Sequence, residues 1–400
     1  MKFGIIKERK NPPDRRVVFS PKKLVELKQK FPTAEIVVES SDIRIFPDES
    51  YITLGINVST DLNDCDVLLG IKEVPIDALI SNKKYFFFSH TIKKQHYNRD
   101  LLKAVLEKNI ELYDYETIVD SENRRLIGFG RYAGIVGCYN GFRAFGVKYD
   151  LFNIAKAETL PNIEELIARI KRQVLPSIKI VLTGKGKVGL GAKEILDAVK
   201  IKAVSVNDFL TKTYTHPVYV NIDVLDYNKR KDGQVLNVLD FYNNPQDYIS
   251  DFERFTKVAD IFMAGHFFGN GSPNILTSQM LNAHDCKIKV VADISCDVNG
   301  PIVSTIKAST IAEPFFGYLP REHKEVHYSH PASIMVMSVD NLPCELPKDA
   351  SVGFGEMFLQ HVIPAFFNND KDGILERAKI TSEGKLTERF KYLQDFVDEK

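Results

Sequence analysis

This 400-residue chain has no net charge: Lys+Arg and Asp+Glu both total 53. Without an excess of either sign, no electrostatic pull toward nucleic acid or an anionic membrane surface is expected. Long apolar runs are absent as well. No stretch approaches the ~18 residues of a membrane span. At the N-terminus only Phe3–Ile6 precedes the charges of Lys7-Glu8-Arg9-Lys10, too short a run to read as a secretory leader. Cysteine is sparse. Cys65, Cys138, Cys286, Cys296 and Cys344 are scattered and form no C-x-x-C pair. That argues against a disulfide framework and for reduced thiols in a cytoplasmic setting. Internal repeats and low-complexity segments are also missing. What remains is 44% hydrophobic and 26% charged, a globular balance in a chain long enough for two domains.

The most informative stretch is Lys179–Ala192, KIVLTGKGKVGLGA. Ile180, Val181 and Leu182 make a short apolar run of the kind that forms a buried parallel strand. Gly184, Gly186 and Gly189 follow as G-x-G-x-x-G, and a helical pattern opens behind them. That order suits a dinucleotide. The first glycine turns the chain, the second lets backbone approach a pyrophosphate, and the third lets helix pack on strand. The helix N-terminus then offers free N–H groups to the phosphates. The stretch predicts a nicotinamide enzyme.

Ahead of it, strand-like runs at Phe3–Ile6, Ile36–Val38, Val67–Ile71, Tyr85–Phe88 and Ile110–Tyr113 alternate with helical stretches, one starting at Ser20-Pro21. Such alternation predicts a parallel α/β sheet, whose ligands gather at the strands' carboxyl ends. Lys72 and His90 each follow one of these runs. Arg124–Phe129 reads as a further strand. Gly130, Gly134, Gly137 and Gly141 fall on one face of a helix, which predicts close packing of a second helix at a domain junction or, as the alternative, backbone passing near a cofactor or substrate. Beyond the glycine turn, Ala203–Val206 reads as the next strand, with Asn207-Asp208 at its end where an acid would bind the adenosine ribose. Tyr227–Pro245 reads as a polar insertion or loop. Asp260–Ala264, Lys287–Ile294 and Ser333–Val339 read as strands. Helices are expected at about 349–367 and 387–397. His323, His327 and His330 have a metal-like spacing, but no H-E-x-x-H or cysteine partner accompanies them, and no metal is expected.

With these motifs collected, the chain resembles the lysine–2-oxoglutarate reductases, the lysine-forming saccharopine dehydrogenases. These belong to the wider alanine dehydrogenase and transhydrogenase group. The stretches that carry the resemblance are FFSHTIK (87–93), IGFGRYAG (127–134), VADISCDVNG (291–300), SVDNLPCELP (338–347) and ITSEGKLTERFKYLQ (380–394). It implies two Rossmann-like domains with parallel sheets and a central cleft. One is a substrate domain of residues 1–135 plus 345–400. The other is a dinucleotide domain of residues 136–344.

Carried over residue by residue, the resemblance implies Lys72 and His90 as an acid–base pair. Arg16 and Arg125 would bind substrate carboxylates, with Phe129 as a pocket wall. Arg124 matches a cofactor contact of some members. Gly184, Gly186, Lys187, Val188 and Gly189 would hold the pyrophosphate. Asp208 would lie near the adenosine ribose, and Asp340, Asn341 and Leu342 near the nicotinamide. Arg131 departs from its uncharged counterparts and would add a third arginine to the pocket. The implied substrates are lysine, 2-oxoglutarate and saccharopine, with no nucleic acid or membrane partner. The implied cofactor is NADPH or NADH: Asp208 favours NADH, whereas the resemblance leans to NADPH. The rival readings are an alanine-dehydrogenase-like or other opine or amino-acid dehydrogenase, and an inactive nucleotide-binding regulator. Retention of Lys72 and His90 argues against the last.

Overall fold

The computed structural model describes residues 1–399. They form two compact units: residues 1–129 with the C-terminal segment from Pro347, and residues 130–346. Among the described residues no helix is long and apolar enough to cross a membrane.

The first unit is built on six strands: β1 (Lys2–Ile5), β2 (Glu35–Glu39), β3 (Asn57–Ser59), β4 (Val67–Leu69), β5 (Lys84–Phe87) and β6 (Glu111–Asp114). All pair in parallel, in the order β3-β2-β1-β4-β5-β6. The alternation of side chains along β5 shows why the runs are apolar throughout. Tyr85 and Phe87 join the core on one face, with Leu101, Leu102 and Val105 and with Phe390 and Leu393 from the C-terminal segment. Phe86 points to the other face, where it stacks on Tyr113 at 4.3 Å and meets Phe358 and Phe366. The returning segment therefore supplies cover on both faces of this sheet. Each large apolar side chain so buried contributes about 1.5–3 kcal/mol.

Some elements of this unit differ from the sequence reading. Arg124–Phe129 is not a strand, and only Arg125 bridges to Val119. The Asp120 carboxylate instead accepts the N–H groups of Glu122 and Arg124 and closes a turn. The expected 349–367 helix runs Pro347–His361. It stops short of Pro364, which has no N–H to continue it.

The second unit carries β7 (Lys179–Thr183), β8 (Lys202–Ala203), β9 (Val218–Ile222), β10 (Asn228–Arg230), β11 (Tyr248–Ser250), β12 (Ile261–Ala264), β13 (Val290–Asp293), β14 (Phe315–Leu319), β15 (Lys324–Val326) and β16 (Ile334–Met337). Eight of them form one sheet in the order β15-β14-β16-β13-β12-β7-β9-β8. It is parallel except for the β14–β15 hairpin and its antiparallel junction with β16. The expected loop at 227–245 is more ordered than its polarity suggested. Its β10 pairs with β11, and a short helix, Val238–Asn243, lies between them. Arg230 gathers Asp232 and Asp240, and the Tyr248 hydroxyl donates to Asp240 at 2.6 Å.

The glycine-faced helix, Gly130–Lys148, packs on the helix that follows the glycine turn, Lys187–Ala198. A Cβ on Gly134 would lie 1.9 Å from the Val188 carbonyl oxygen, and one on Gly191 2.0 Å from that of Arg131. The bare face is thus explained by two backbones in near contact. Gly137 and Gly141 continue it against Ile294 and against Met263 and Ala292.

Candidate active site

In the first unit the chain winds outward from β1 and β4 in opposite directions, which makes the carboxyl ends of these strands a switch point. Lys72 follows β4 there. Its backbone N–H and that of Ile71 donate to the two carboxylate oxygens of Glu8, at 2.8 and 2.7 Å. Burial, then the nearby Asp14 charge, lifts the Glu8 carboxyl to about 8 against the pull of those donors. His90 follows β5 in a left-handed backbone conformation, φ 54°. Its N–H and that of Ser89 both donate to Asp114 at 2.9 Å, and the Ser89 hydroxyl adds a third bond at 2.6 Å.

The His90 ring is oriented by Glu73. Nδ1 lies 2.8 Å from Glu73 Oε1, and Lys10 Nζ lies 2.7 Å from Oε2. Burial by itself would raise Glu73, but the bonds from His90 and Lys10 outweigh it and hold the carboxyl at about 2. An ionised Glu73 takes a proton donor at Nδ1, which assigns the lone pair of the neutral ring to Nε2.

Arg16 is buried, 5% exposed, with Nε 3.0 Å and Nη2 2.6 Å from the Asp14 oxygens. Burial opposes ionisation of Asp14, and the Arg16 charge overrides it, so the carboxyl is lowered. The guanidinium carbon stands 4.2 Å over the Phe129 ring, which stacks on Phe354 at 4.6 Å. Phe88 joins the group: its ring lies 5.9 Å from Phe129, 6.2 Å from His90 and 5.5 Å from the Arg125 guanidinium. Arg125 in turn reaches Glu116 at 3.4 Å. Arg16, Arg125, Phe129 and His90 therefore border one aromatic patch. Arg124 lies on the surface, paired with Asp120 and Glu122. Arg131 is engaged by Glu194 through two bonds of 2.8 and 2.6 Å. The sequence reading did not single out Glu8, Asp14, Glu73, Asp114 or Glu116. Glu73 had a signal, since it adjoins Lys72 in GIKEVP.

In the second unit, the glycine turn joins β7 to the Lys187–Ala198 helix at another switch point, between β7 and β12. Gly184 has φ 93°, and a Cβ there would lie 2.4 Å from the Gly265 carbonyl oxygen. A Cβ on Gly189 would meet the Gly184 carbonyl oxygen at 1.9 Å, whereas one on Gly186 would meet nothing within 4 Å. The first and third glycines are thus needed by the fold, and the second faces open space at a helix N-terminus. That is the cradle a pyrophosphate fits, with Lys187 and Val188 in the first helical turn. The turn is anchored by Asn221 of β9, whose amide donates to the Gly184 carbonyl at 2.9 Å. Beside it, buried His266 sits with Nδ1 2.8 Å from Thr183 Oγ1, and its Nε2 has no partner among the described residues. Asp340, Asn341 and Leu342 follow β16 at the same carboxyl edge of the sheet.

Asp208 is not at a strand end. The edge strand β8 stops at Ala203, and Ser205 caps the helix Val206–Thr211, accepting the Asp208 N–H at 3.1 Å. The Asp208 carboxylate pairs with Lys212 at 3.0 Å. The strand beside β7 is β9, and the acid at its carboxyl end is Asp223. Close by, Asp226 accepts the Asp223 N–H at 2.8 Å and reaches Lys185 of the glycine turn at 3.6 Å.

A doubly wound sheet with this glycine turn is the dinucleotide-binding architecture that nicotinamide-dependent dehydrogenases share. Residues 4–136 match the family described as alanine dehydrogenase/PNT, N-terminal domain. The chain is 29% identical, over 98% of its length, to alpha-aminoadipic semialdehyde synthase of Arabidopsis thaliana, and 27% over 90% to the mitochondrial synthase of Rattus norvegicus. It spans only 41% and 44% of those two proteins. It is also 26% identical, over 82% of its length, to saccharopine dehydrogenase (NAD(+), L-lysine-forming) of Yarrowia lipolytica, covering 83% of that enzyme. An L-alanine dehydrogenase structure superposes with a TM-score of 0.64 at 16% identity, covering 99% of this chain and all of that one. The resemblance to lysine-forming saccharopine dehydrogenases read from the motifs is thus met again among these relatives.

Proposed function

We propose that the chain forms or cleaves saccharopine, by NAD(P)H-dependent reductive condensation of L-lysine with 2-oxoglutarate. One observation carries the reading: at one sheet edge, Lys72 and a His90 oriented by Glu73 stand beside two arginines and an aromatic wall. The ε-amine of lysine must lose a proton before it attacks the C2 ketone, and His90 Nε2 is the acceptor suited to take it. The carbinolamine must then gain a proton as its hydroxyl leaves as water, and Lys72 is the donor suited to give it. Such groups contribute about 10²–10⁴-fold each. Arg16 and Arg125 suit substrate carboxylates because a guanidinium fork binds them in two places.

Residues 130–346 bind the coenzyme, which supplies the hydride that reduces the imine. Gly184, Gly186, Lys187, Val188 and Gly189 hold its pyrophosphate, and Asp340, Asn341 and Leu342 its nicotinamide end. Asp223, rather than Asp208, reads the adenosine ribose. A carboxylate there accepts a hydrogen bond from the 2′-hydroxyl and repels a 2′-phosphate, so NADH is the preferred coenzyme.

The test is a turnover screen of NADH and NADPH against 2-oxoglutarate or pyruvate, with lysine, ornithine or ammonia. Lysine with 2-oxoglutarate should give a product with the mass of saccharopine. Turnover confined to pyruvate and ammonia would replace this reading with the alanine-dehydrogenase-like one.

A further inference from the structure

Both members of the acid–base pair follow their strands in loops whose backbone N–H groups have no ladder partner. In each case a buried carboxylate from the next strand of the sheet supplies the missing acceptors. Glu8, just past β1, takes the N–H groups of Ile71 and Lys72 beyond β4. Asp114, ending β6, takes those of Ser89 and His90 beyond β5. Among the described residues neither forms a salt bridge: Glu8 bonds two amides, and Asp114 bonds amides and the Ser89 hydroxyl. We propose that Glu8 and Asp114 are positioning residues, a pair of carboxyl clamps that set where Lys72 and His90 leave the sheet. This rests on the acid–base reading of Lys72 and His90.

Three features favour positioning over general stability. Each clamp grips the amide of the acid–base residue together with that of its predecessor, so it fixes the peptide plane between them. His90 is held in a left-handed conformation that a residue with a Cβ adopts at a cost, and Asp114 bonds its amide and the one before it, while the Ser89 hydroxyl that Asp114 also holds accepts the Thr91 N–H after it. Burial raises both carboxyls, and hydrogen bonds from the clamped loops oppose the rise. An uncommitted apolar side chain would avoid that opposition, so the carboxylates are present for the loops they hold.

The experiment is a double-mutant cycle on the full chain with lysine, 2-oxoglutarate and NADH. Glu8→Gln replaces one acceptor oxygen by an NH2 that faces a backbone N–H, so the clamp opens while size is kept. kcat should fall about 10–100-fold, the range for losing a group that orients a reacting one, with the dissociation constant for NADH unchanged. In a Lys72→Met background the same change should alter kcat less than about twofold, because there is no ammonium left to position. Asp114→Ala, which removes the single oxygen that takes the Ser89 and His90 amides, should behave alike against His90→Gln, and it carries the test if Glu8→Gln does not fold. An equal loss of kcat in both backgrounds would show a merely structural role and overturn the proposal. So would a single variant within twofold of the parent. If Lys72→Met and His90→Gln themselves leave turnover intact, the acid–base reading falls, and the clamps fall with it. If those two abolish turnover while the clamp variants do not change it, only the clamps fall.

Discussion

His266 makes the stability of this protein depend on pH in a direction that can be worked out from its surroundings. The ring is buried at the end of β12 beside the glycine turn, bonded through Nδ1 to Thr183 and without a partner at Nε2. Burial lowers its pKa from the ordinary 6.5 to about 4. The unfolded chain therefore binds a proton at this position below pH 6.5, and the folded chain does not until near pH 4. Stability from this group is complete above pH 6.5 and is lost as pH falls toward 4. Each tenfold in proton affinity is about 1.4 kcal/mol, so the full loss is about 3 kcal/mol, of which about 2 kcal/mol is gone by pH 5. A domain of this size loses about 2–4 °C of Tm per kcal/mol. The parent should therefore drop about 4–8 °C more than His266→Gln between pH 7.5 and 5, when both are followed by calorimetry in the same buffers. The glutamine does not titrate and keeps a polar group near Thr183, so carboxylates elsewhere cancel in the comparison. Equal pH slopes for parent and variant would show that the folded protein accepts the proton on His266, and the reasoning from burial would be wrong.

Removing the acid–base groups, Lys72→Met or His90→Gln, should lower kcat about 10²–10⁴-fold with the circular dichroism and NADH affinity of the parent; activity within a fewfold in both would refute their role. Arg16 needs the conservative change, because Arg16→Ala strands the buried Asp14 and should cost about 3–5 kcal/mol in urea unfolding. Arg16→Lys keeps the charge and loses the fork, and should chiefly raise KM for the keto acid. Gly186→Ala meets open space, so apart from about 1 kcal/mol for a poorer N-cap its Tm should hold while coenzyme affinity, measured by titration calorimetry, falls; unchanged affinity would remove the pyrophosphate from this turn. Asp223→Ser should raise kcat/KM for NADPH relative to NADH at least tenfold, about 1.4 kcal/mol, and Asp208→Ser should leave the ratio alone. The opposite pattern would restore Asp208 as the ribose acid.

The contrast between Asp208 and Asp223 shows where local pattern stops being informative. The apolar runs that became β1, β4, β5, β7 and β12 were legible because strands covered on both faces are apolar throughout. The glycine turn was legible because each glycine has a separate steric cause. Lys72 and His90 were legible as residues that end such runs. The ribose acid depends on something else, namely which strand lies beside β7, and that is a property of the sheet order. The next strand in sequence, β8, is two residues long and sits at the edge; the chain passes through the Val206–Thr211 helix before β9 takes the place beside β7. A fixed spacing from the glycines therefore selects Asp208, and adjacency selects Asp223. Val218-Tyr219-Val220-Asn221-Ile222 did carry a strand signal, β-branched and ending in an acid, but its one polar member concealed it. That member is Asn221, whose amide anchors the glycine turn. The clamps were hidden for a similar reason. Nothing local marks Glu8 within KERK or Asp114 before Tyr115, and only the register of β1 against β4 and of β5 against β6 turns them inward onto the loops that carry Lys72 and His90.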